Sequence, residues 1–506
     1  MYVSRDQIAE EVRAAVMAGE IEQAIALYEE AARDSGRPDR FELLAQFGFL
    51  LWQCYDYCRA GEVFAELQSG PHVDARVLQQ IASLYFRIGR FDVAAEVMRG
   101  AVSRCATDGE LLFQLASCLE RCDRVAEATE TAQEALEIDP THRASVRLLA
   151  HIDKRLGNCP LAISRIESHL ARYPDGETWA LKYELAACLD RVAQYDRAWN
   201  ALLEAKAQVA AISRADLVHS YSIRRRQGEL AKRLTDSDLR RWHHTPVDDR
   251  IPIVLLAGFP RSGTTLLESI LTAHPGIVGT DESGIIASQF VQPIVWQAKD
   301  ELDALLEIRG LSDRQIEIGR ETYLKYTTAV LGQSIDGQIL VEKDPLLTCD
   351  LALPLRLFPE ARIVMPLRDP RDVAISFFFT MVPFQWNSSP STSIVETARF
   401  YHDVMRHWLL LRHRLPWPWI ETRYEDMVAQ PQREIGRVTE FFGIDFQEMM
   451  LDPSRRKADR MITTPTYIDV TRPIHRKAVG RWKHYCRYLE PARPILEAWA
   501  REFGYD

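Results

Sequence analysis

Two rhythms of apolar and polar residues divide the chain. Up to about residue 235, apolar residues recur at helical spacing in stretches such as AIALYEEAA, AAEVMRGAV and AISRIESHL, parted by short polar breaks. One small residue keeps the period: Ala24, Ala60, Ala94, Ala128, Ala162 and Ala198 stand 36, 34, 34, 34 and 36 residues apart. A glycine or turn residue often comes five positions earlier, at Gly19, Gly89, Cys122-Asp123 and Gly157. Pro38, Pro140 and Pro174 hold the same register. This predicts about six helix–turn–helix units with small residues where helices approach closely. From residue 251 the rhythm changes. Short β-type runs at 253–257, 338–342, 362–367 and 418–424 alternate with helical stretches, which implies a parallel sheet with helices on both faces. The charged stretch between, 224–250 (RRRQGELAKRLTDSDLRRWHHTPVDDR), reads as a junction. The expected architecture is α plus α/β: an α-solenoid over 1–235, a linker over 236–250, and a P-loop-like three-layer α/β domain with a central parallel sheet over 251–506.

Composition narrows this. At 506 residues the chain exceeds one ordinary core, and 47% hydrophobic with 26% charged residues is a globular balance. No stretch approaches the ~20 apolar residues of a membrane span. The opening MYVSRDQIAEEVRAAV is an amphipathic, partly acidic helix with no apolar signal core, so a cytoplasmic location is expected. Residues 1–200 hold 22 basic and 32 acidic side chains, which accounts for the net charge of −10, whereas residues 451–506 hold 12 basic and 7 acidic. An acidic first part argues against a nucleic-acid partner. The basic end suits a polyanionic small ligand or a solvated face. The nine cysteines are scattered; Cys54/Cys58 and Cys118/Cys122 lie in helical pattern without a histidine set and read as free or buried thiols. His243 and His244 lack further ligands nearby, so no metal is expected. A 34-residue helix–turn–helix unit of this kind resembles the tetratricopeptide repeat, which implies a concave face for an extended protein partner. Tyr28, Tyr55, Tyr85 and Trp199 read as packing residues within it.

The stretch IPIVLLAGFPRSGTTLLESILTAHPG at 251–276 runs from apolar strand through a glycine loop into an amphipathic helix. That is a cup of backbone N–H groups at a positive helix end, suited to an anion. The spacing Gly258-x4-Gly263-Thr264-Thr265 fits the phosphate loop G-x-x-x-x-G-K-[ST] except at the lysine. Thr264 stands there, and Arg261 appears inside the loop instead. A 5′-phosphate-type anion held without a magnesium-centred site is expected. Ligands in such sheets sit beyond the strand ends, where Arg261, Lys343, Arg368 and Tyr424 lie. In LRDPRDVAISFF, Arg368 ends one run and Ser376 lies eight residues on, a guanidinium and a hydroxyl able to converge on a phosphate. Taken alone, RDPRD reads equally well as a surface ion-pair cluster.

These pieces resemble the sulfotransferase family, which transfers a sulfuryl group from 3′-phosphoadenosine 5′-phosphosulfate (PAPS) and releases 3′-phosphoadenosine 5′-phosphate (PAP). Within it the likeness is to tyrosylprotein sulfotransferases and bacterial relatives that carry tetratricopeptide repeats. It is carried by PRSGTT at 260–265, R-D-P-R-D-x-x-x-S from Arg368 to Ser376, GTDES at 279–283, EKDP at 342–345, RYEDMV at 423–428 and VTRPIHRKAVGRW at 470–482. The resemblance implies that Arg261, Ser262, Gly263, Thr264 and Thr265 hold the 5′-phosphosulfate and that Arg368 and Ser376 hold the 3′-phosphate. It implies Lys343 near the leaving bridging oxygen, Thr466 near the sulfuryl group, and Tyr424 with Arg481 around the nucleotide. Glu282 matches the family's general base, with Asp281 next to it; a helix-capping acid is the plainer reading of the same residues.

Two departures leave the acceptor open. Thr380 stands where the tyrosylprotein enzymes have an arginine, and their disulfides have no counterparts here. A peptide tyrosine and a sugar hydroxyl both fit. Residues 290–335 and 383–395 read as insertions, the second as an acceptor lid or a surface loop. Two other readings remain: a P-loop NTPase or kinase, with ILVEKD at 339–344 ending in a magnesium-binding acid, and a non-catalytic repeat scaffold.

Overall fold

The computed structural model describes residues 3–70, 73–247, 250–382, 385–453 and 473–505. The chain divides into two compact units, Met1–Ile152 with Thr328–Gln333, and Asp153–Thr327 with Ser334–Asp506. The division falls inside the repeat-patterned stretch.

The repeat pattern has a structural cause. The second helices of the six pairs are Ile21–Arg33, Tyr57–Ser69, Phe91–Arg104, Val125–Ile138, Cys159–Arg172 and Tyr195–Ile212. Each periodic alanine is the fourth residue of its helix, and all six are wholly buried. A methyl group is all that fits there. Two residues before each of these helices the backbone turns left-handed, at Gly19, Tyr55, Gly89, Asp123, Gly157 and Ala193, with φ between 59 and 85°. Three of these are not glycine, so the turn geometry is imposed by helix pairing at a local cost of about 1–2 kcal/mol each. In the first unit, Leu43, Leu51, Phe64, Leu78, Ile81 and Val97 form a continuous buried core with the alanines. Tyr28 and Tyr85 are buried in it, as expected of packing residues.

In the second unit five parallel strands, β1 (Ile253–Leu256), β2 (Ile277–Gly279), β3 (Ile339–Lys343), β4 (Arg362–Leu367) and β5 (Trp419–Arg423), stand in the order β2-β3-β1-β4-β5. Every residue of β1 and β3 is buried, because helices cover both faces of the sheet; β1 is apolar throughout, whereas β3 ends in the charged pair Glu342 and Lys343. On one face Val254, Leu256 and Val341 pack with Leu267 and Ile270 of helix Thr264–Leu271 and with Ile435 and Val438 of helix Pro431–Phe442. On the other, Trp408 of helix Ile394–Leu411 meets Trp419 and donates its indole N–H to Glu421 at 2.6 Å.

Three stretches differ from expectation. Residues 236–243, expected in a linker, form the helix Asp236–His243, closed by a Thr235/Asp238 capping box, with Trp242 fully buried. Most of its residues are charged, so a composition reading misses the buried side formed by Asp238, Leu239 and Trp242. The insertion 290–335 is ordered as a π-helix, Ala287–Trp296, and two helices, Glu301–Gly310 and Asp313–Leu331. In the second insertion the described residues 385–395 are packed: Ser389 and Ser391 are buried and Trp386 meets Trp296 edge-on at 5.1 Å. All nine cysteines are free thiols, and burial pushes Cys118 up to about 12. Among the described residues no helix is long and apolar enough to cross a membrane.

Ala193 is exposed and left-handed at φ 59°. Ala193→Gly should therefore raise the unfolding free energy by about 0.5–1 kcal/mol in denaturant titrations, the relief of αL strain less glycine's extra unfolded-state entropy. An unchanged or lower midpoint would contradict the strain reading.

Candidate active site

The strand ends present the candidate residues in sheet order. Across β2, β3, β1, β4 and β5 they are Asp281-Glu282, Lys343, the loop 258–263, Arg368 and Tyr424. With strands ~4.8 Å apart, Glu282 and Arg368 lie about three strand spacings from one another along this edge.

The loop is pinned at its base. Ala257 N–H donates to the Val364 carbonyl at 3.1 Å, and the Thr348 hydroxyl accepts from Gly258 N–H (2.8 Å) while donating to the Gly258 carbonyl (2.6 Å). Its turn needs left-handed backbone at Gly258 (φ 136°), Arg261 (75°) and Gly263 (97°). A Cβ on Gly263 would stand 2.8 Å from Cδ2 of Tyr424, so only glycine lets that ring close over the loop. Thr264 and Thr265 then open a helix whose first N–H groups have no intrahelical partner. The Ser262 hydroxyl is buried and has no hydrogen-bond partner among the described residues.

Both arginines converge on this loop. Arg261 Nε donates to Ser376 Oγ at 3.1 Å. Arg368 is buried, donates from Nη1 to the Arg261 carbonyl (3.1 Å) and from Nη2 to the Ala478 carbonyl (2.6 Å), and lies 4.7 Å over the Tyr424 ring. Its Nε has no hydrogen-bond partner among the described residues. The orphaned Ser262 and Arg368 atoms, beside a cradle that a Cβ would fill, are what an absent phosphate-type group would engage, so the residues present fit such a ligand.

One and two strands over lies a buried ion cluster. Lys343 is fully buried, and its Nζ is 2.9 Å from Glu282 Oε1, 3.2 Å from Asp281 Oδ1 and 3.3 Å from Glu268 Oε2. Burial alone would lower the Lys343 pKa; Glu268, Glu282 and Asp281 outweigh it and hold the group above the ordinary lysine value. Glu268 is pushed up, first by burial, with Lys343 opposing and Asp281 and Glu282 adding to the rise. Asp281 and Glu282 are consecutive non-glycine residues at φ 48° and 59°. The turn is held by Asp281 N–H to Glu268 Oε1 (2.8 Å) and Glu282 N–H to the Lys343 carbonyl (3.1 Å). Strain of this kind at a strand end is typical of functional turns. Asp344, the acid of ILVEKD, is raised by burial to about 6 and accepts from Leu346 N–H at 2.8 Å.

Arg481 pairs with Asp190 (3.1 Å) and lies 4.5 Å over Phe379. Thr466 lies outside the described residues. Two residues were missed. Glu268 interrupts the otherwise apolar face of TTLLESIL, a signal that was available. Asp372 takes the Gly480 (2.6 Å) and Trp482 (2.8 Å) N–H groups, a contact over a hundred residues long that no motif announces.

A strand–glycine loop–helix at the centre of a parallel sheet, flanked by arginines, is an architecture that holds phosphate-type anions at strand ends. Residues 252–448 match the Sulfotransferase family model, and 75–108 and 109–142 match the tetratricopeptide repeat. The chain thus carries a sulfotransferase-family domain together with tetratricopeptide repeats. It is similar to an uncharacterized protein of Aquifex aeolicus, 23% identical over 422 residues, covering 80% of this chain and 52% of that one. It is also similar to a putative protein-tyrosine sulfotransferase of Caenorhabditis briggsae (27% over 263 residues, 50% of this chain and 89% of that one). A third relative is protein-tyrosine sulfotransferase 2 of Gallus gallus (22% over 253 residues, 46% and 63%). The chain spans about half the length of the Aquifex relative.

Removing Lys343 leaves the buried Glu268 carboxylate facing Asp281 and the partly exposed Glu282 without the cation between them. Because the native state binds the Glu268 proton more tightly than the unfolded chain does, stability falls as pH rises through and above the ordinary carboxylate range. Lys343, with its raised pKa, stays charged across that window and limits the fall. Lys343→Met should cost about 3–5 kcal/mol at pH 8 and clearly less at pH 5.5, where the carboxyls take up protons. Equal losses at both pH values, by chemical denaturation, would contradict the cluster's charge balance.

Proposed function

We propose that this chain is a PAPS-dependent sulfotransferase acting on an acceptor hydroxyl, either a peptide tyrosine or a sugar. The observation that carries the reading is the order along the sheet edge: base, buried cation, anion loop, second arginine. When bound, PAPS supplies the sulfuryl group and a nucleotide leaving group. Arg261, Ser262, Gly263, Thr264 and Thr265 hold the 5′-phosphosulfate, while Arg368 and Ser376 bind the 3′-phosphate under Tyr424. Lys343 keeps a positive charge between base and loop, where charge develops on the leaving oxygen. Glu282 has a side chain 41% exposed, in contrast to Lys343 at 0%. An acceptor hydroxyl entering from solvent therefore meets the carboxylate first, and Glu282 takes its proton at Oε. Base on one side and loop on the other suit an in-line displacement, which needs alignment and charge stabilisation more than covalent help. The cations of the site are side chains, and the reading calls for no metal. The repeats would grip a protein partner or an extended acceptor.

Calorimetric titration with PAP, ADP and magnesium-ATP tests the donor. PAP should bind best, and Arg368→Ala should weaken it roughly 10–100-fold, the loss expected for hydrogen bonds to a charged group. Preference for magnesium-ATP would overturn the reading in favour of an NTPase. Glu282→Gln should leave PAP affinity unchanged and lower kcat by about 10²–10⁴-fold; an unaffected kcat in an assay of sulfated product would remove Glu282 as the base.

A further inference from the structure

The stretch Arg481–Tyr488, a 3₁₀ helix, is held between two parts of the second unit. On one side are two helices of the repeat-patterned region, Trp179–Arg191 and Tyr195–Ile212. Asp190 Oδ1 accepts from the Tyr485 hydroxyl at 2.5 Å, and its Oδ2 lies 3.1 Å from Arg481 Nη2. Asp196 accepts from the Tyr488 hydroxyl at 2.9 Å and from Arg487. Tyr195 stacks on His484 (4.3 Å, 12°) and Trp199 on Tyr488 (4.7 Å, 11°). Tyr485 is fully buried.

On the other side is the helix Pro370–Phe379, which bears Ser376. Its Asp372 takes the N–H groups of Gly480 and Trp482, and Arg371 lies 4.1 Å over the Trp482 ring. Just upstream, the Ala478 carbonyl receives Arg368 Nη2. Only two carbonyls, of Arg261 and Ala478, hold the Arg368 guanidinium by hydrogen bonds among the described residues. One of these two belongs to the clamped stretch.

We propose that Asp190, on a helix of the repeat-patterned region, is a positioning residue for the donor site: it anchors Arg481 and Tyr485, and so fixes the Ala478–Trp482 backbone that aims Arg368. The proposal rests on the sulfotransferase reading, since it assigns Arg368 to the donor's 3′-phosphate. In it Arg481 acts through Asp190 and does not touch the nucleotide. An occupant of the repeats that shifted the helix Trp179–Arg191 would, by the same contacts, change donor affinity.

The test is PAP titration of the full chain as wild type, Asp190→Ala, Asp190→Asn, Arg481→Ala and the double variant Asp190→Ala/Arg481→Ala. Asp190→Ala should weaken PAP binding about tenfold, and Asp190→Asn, which keeps an acceptor for Tyr485, should lose less. The double variant should lose no more than the worse single one, because contacting residues that act as a unit are not additive. In turnover, KM for PAPS should rise with kcat within about twofold. Unchanged PAP affinity in Asp190→Ala would overturn the proposal, as would additive losses in the double variant, which would put Arg481 on the nucleotide itself. If Asp190→Ala fails to fold, Asp190→Asn carries the same comparison, and wild-type affinity there with Arg481→Ala also unchanged overturns the proposal. Wild-type protein that binds no PAP would instead sink the sulfotransferase reading, so the two failures are distinguishable.

Discussion

An ammonium group taken fully out of water costs several kcal/mol unless anions surround it, and Lys343 meets that condition with three carboxylates from two different elements. Glu268 comes from the helix after the glycine loop, Asp281 and Glu282 from the turn after β2, and the lysine itself from the end of β3. The cluster therefore fixes the mutual placement of loop helix, turn and central strand. It also makes two consecutive left-handed residues tolerable, because Glu268 takes the Asp281 N–H that the turn would otherwise leave buried and unpaired. Electrostatics and backbone strain are solved by the same side chains.

The parallel sheet turns this local arrangement into an ordered array. Each strand delivers one chemical function at its end, and the hydrogen-bonded register between neighbours fixes the order and spacing of these ends. The loop after β1 is central, so it has Arg368 on the β4 side and the carboxylates of Asp281 and Glu282 on the β2 side. Val364, on the inner strand β4, fastens Ala257, and Thr348, in the short helix Leu347–Asp350 after β3, fastens Gly258. The loop's position thus depends on an inner strand and on a helix that follows another.

What the amino-acid pattern could disclose was whatever repeats or stays local. The six alanines announced the repeat because helix packing leaves room for only a methyl group at the fourth position of each second helix. The runs at 253–257 and 362–367 were legible because strands covered on both faces carry few polar residues, and those at 338–342 and 418–424 through their apolar stretches Ile339–Val341 and Trp419-Ile420; the three-residue β2 is too short to show that signal. Left-handed turns at Tyr55 and Ala193 had no glycine to mark them. Helix Asp236–His243 was hidden by its charges, although Thr235 and Asp238 stood at capping-box spacing. For the site, spacing pointed to Arg261, Arg368 and Ser376, and the structure draws these three together. Arg481 illustrates the limit: its partner Asp190 is 291 residues away, and no local pattern encodes such a pairing.

That separation has a kinetic meaning. The Tyr485–Asp190 bond closes a loop of 295 residues, whereas the core of the first unit is built from neighbouring helices in the sequence. Short-range contacts form early and cheaply, while distant ones wait for the intervening chain to collapse. During synthesis, most of the first unit can pack once residue 152 has emerged, with only Thr328–Gln333 to follow, but the helix bearing Asp190 stays without its partner until residue 485 has left the ribosome. Aromatic surface on Tyr195 and Trp199 is uncovered throughout that interval, the period in which such a chain is most exposed to aggregation and most dependent on chaperones.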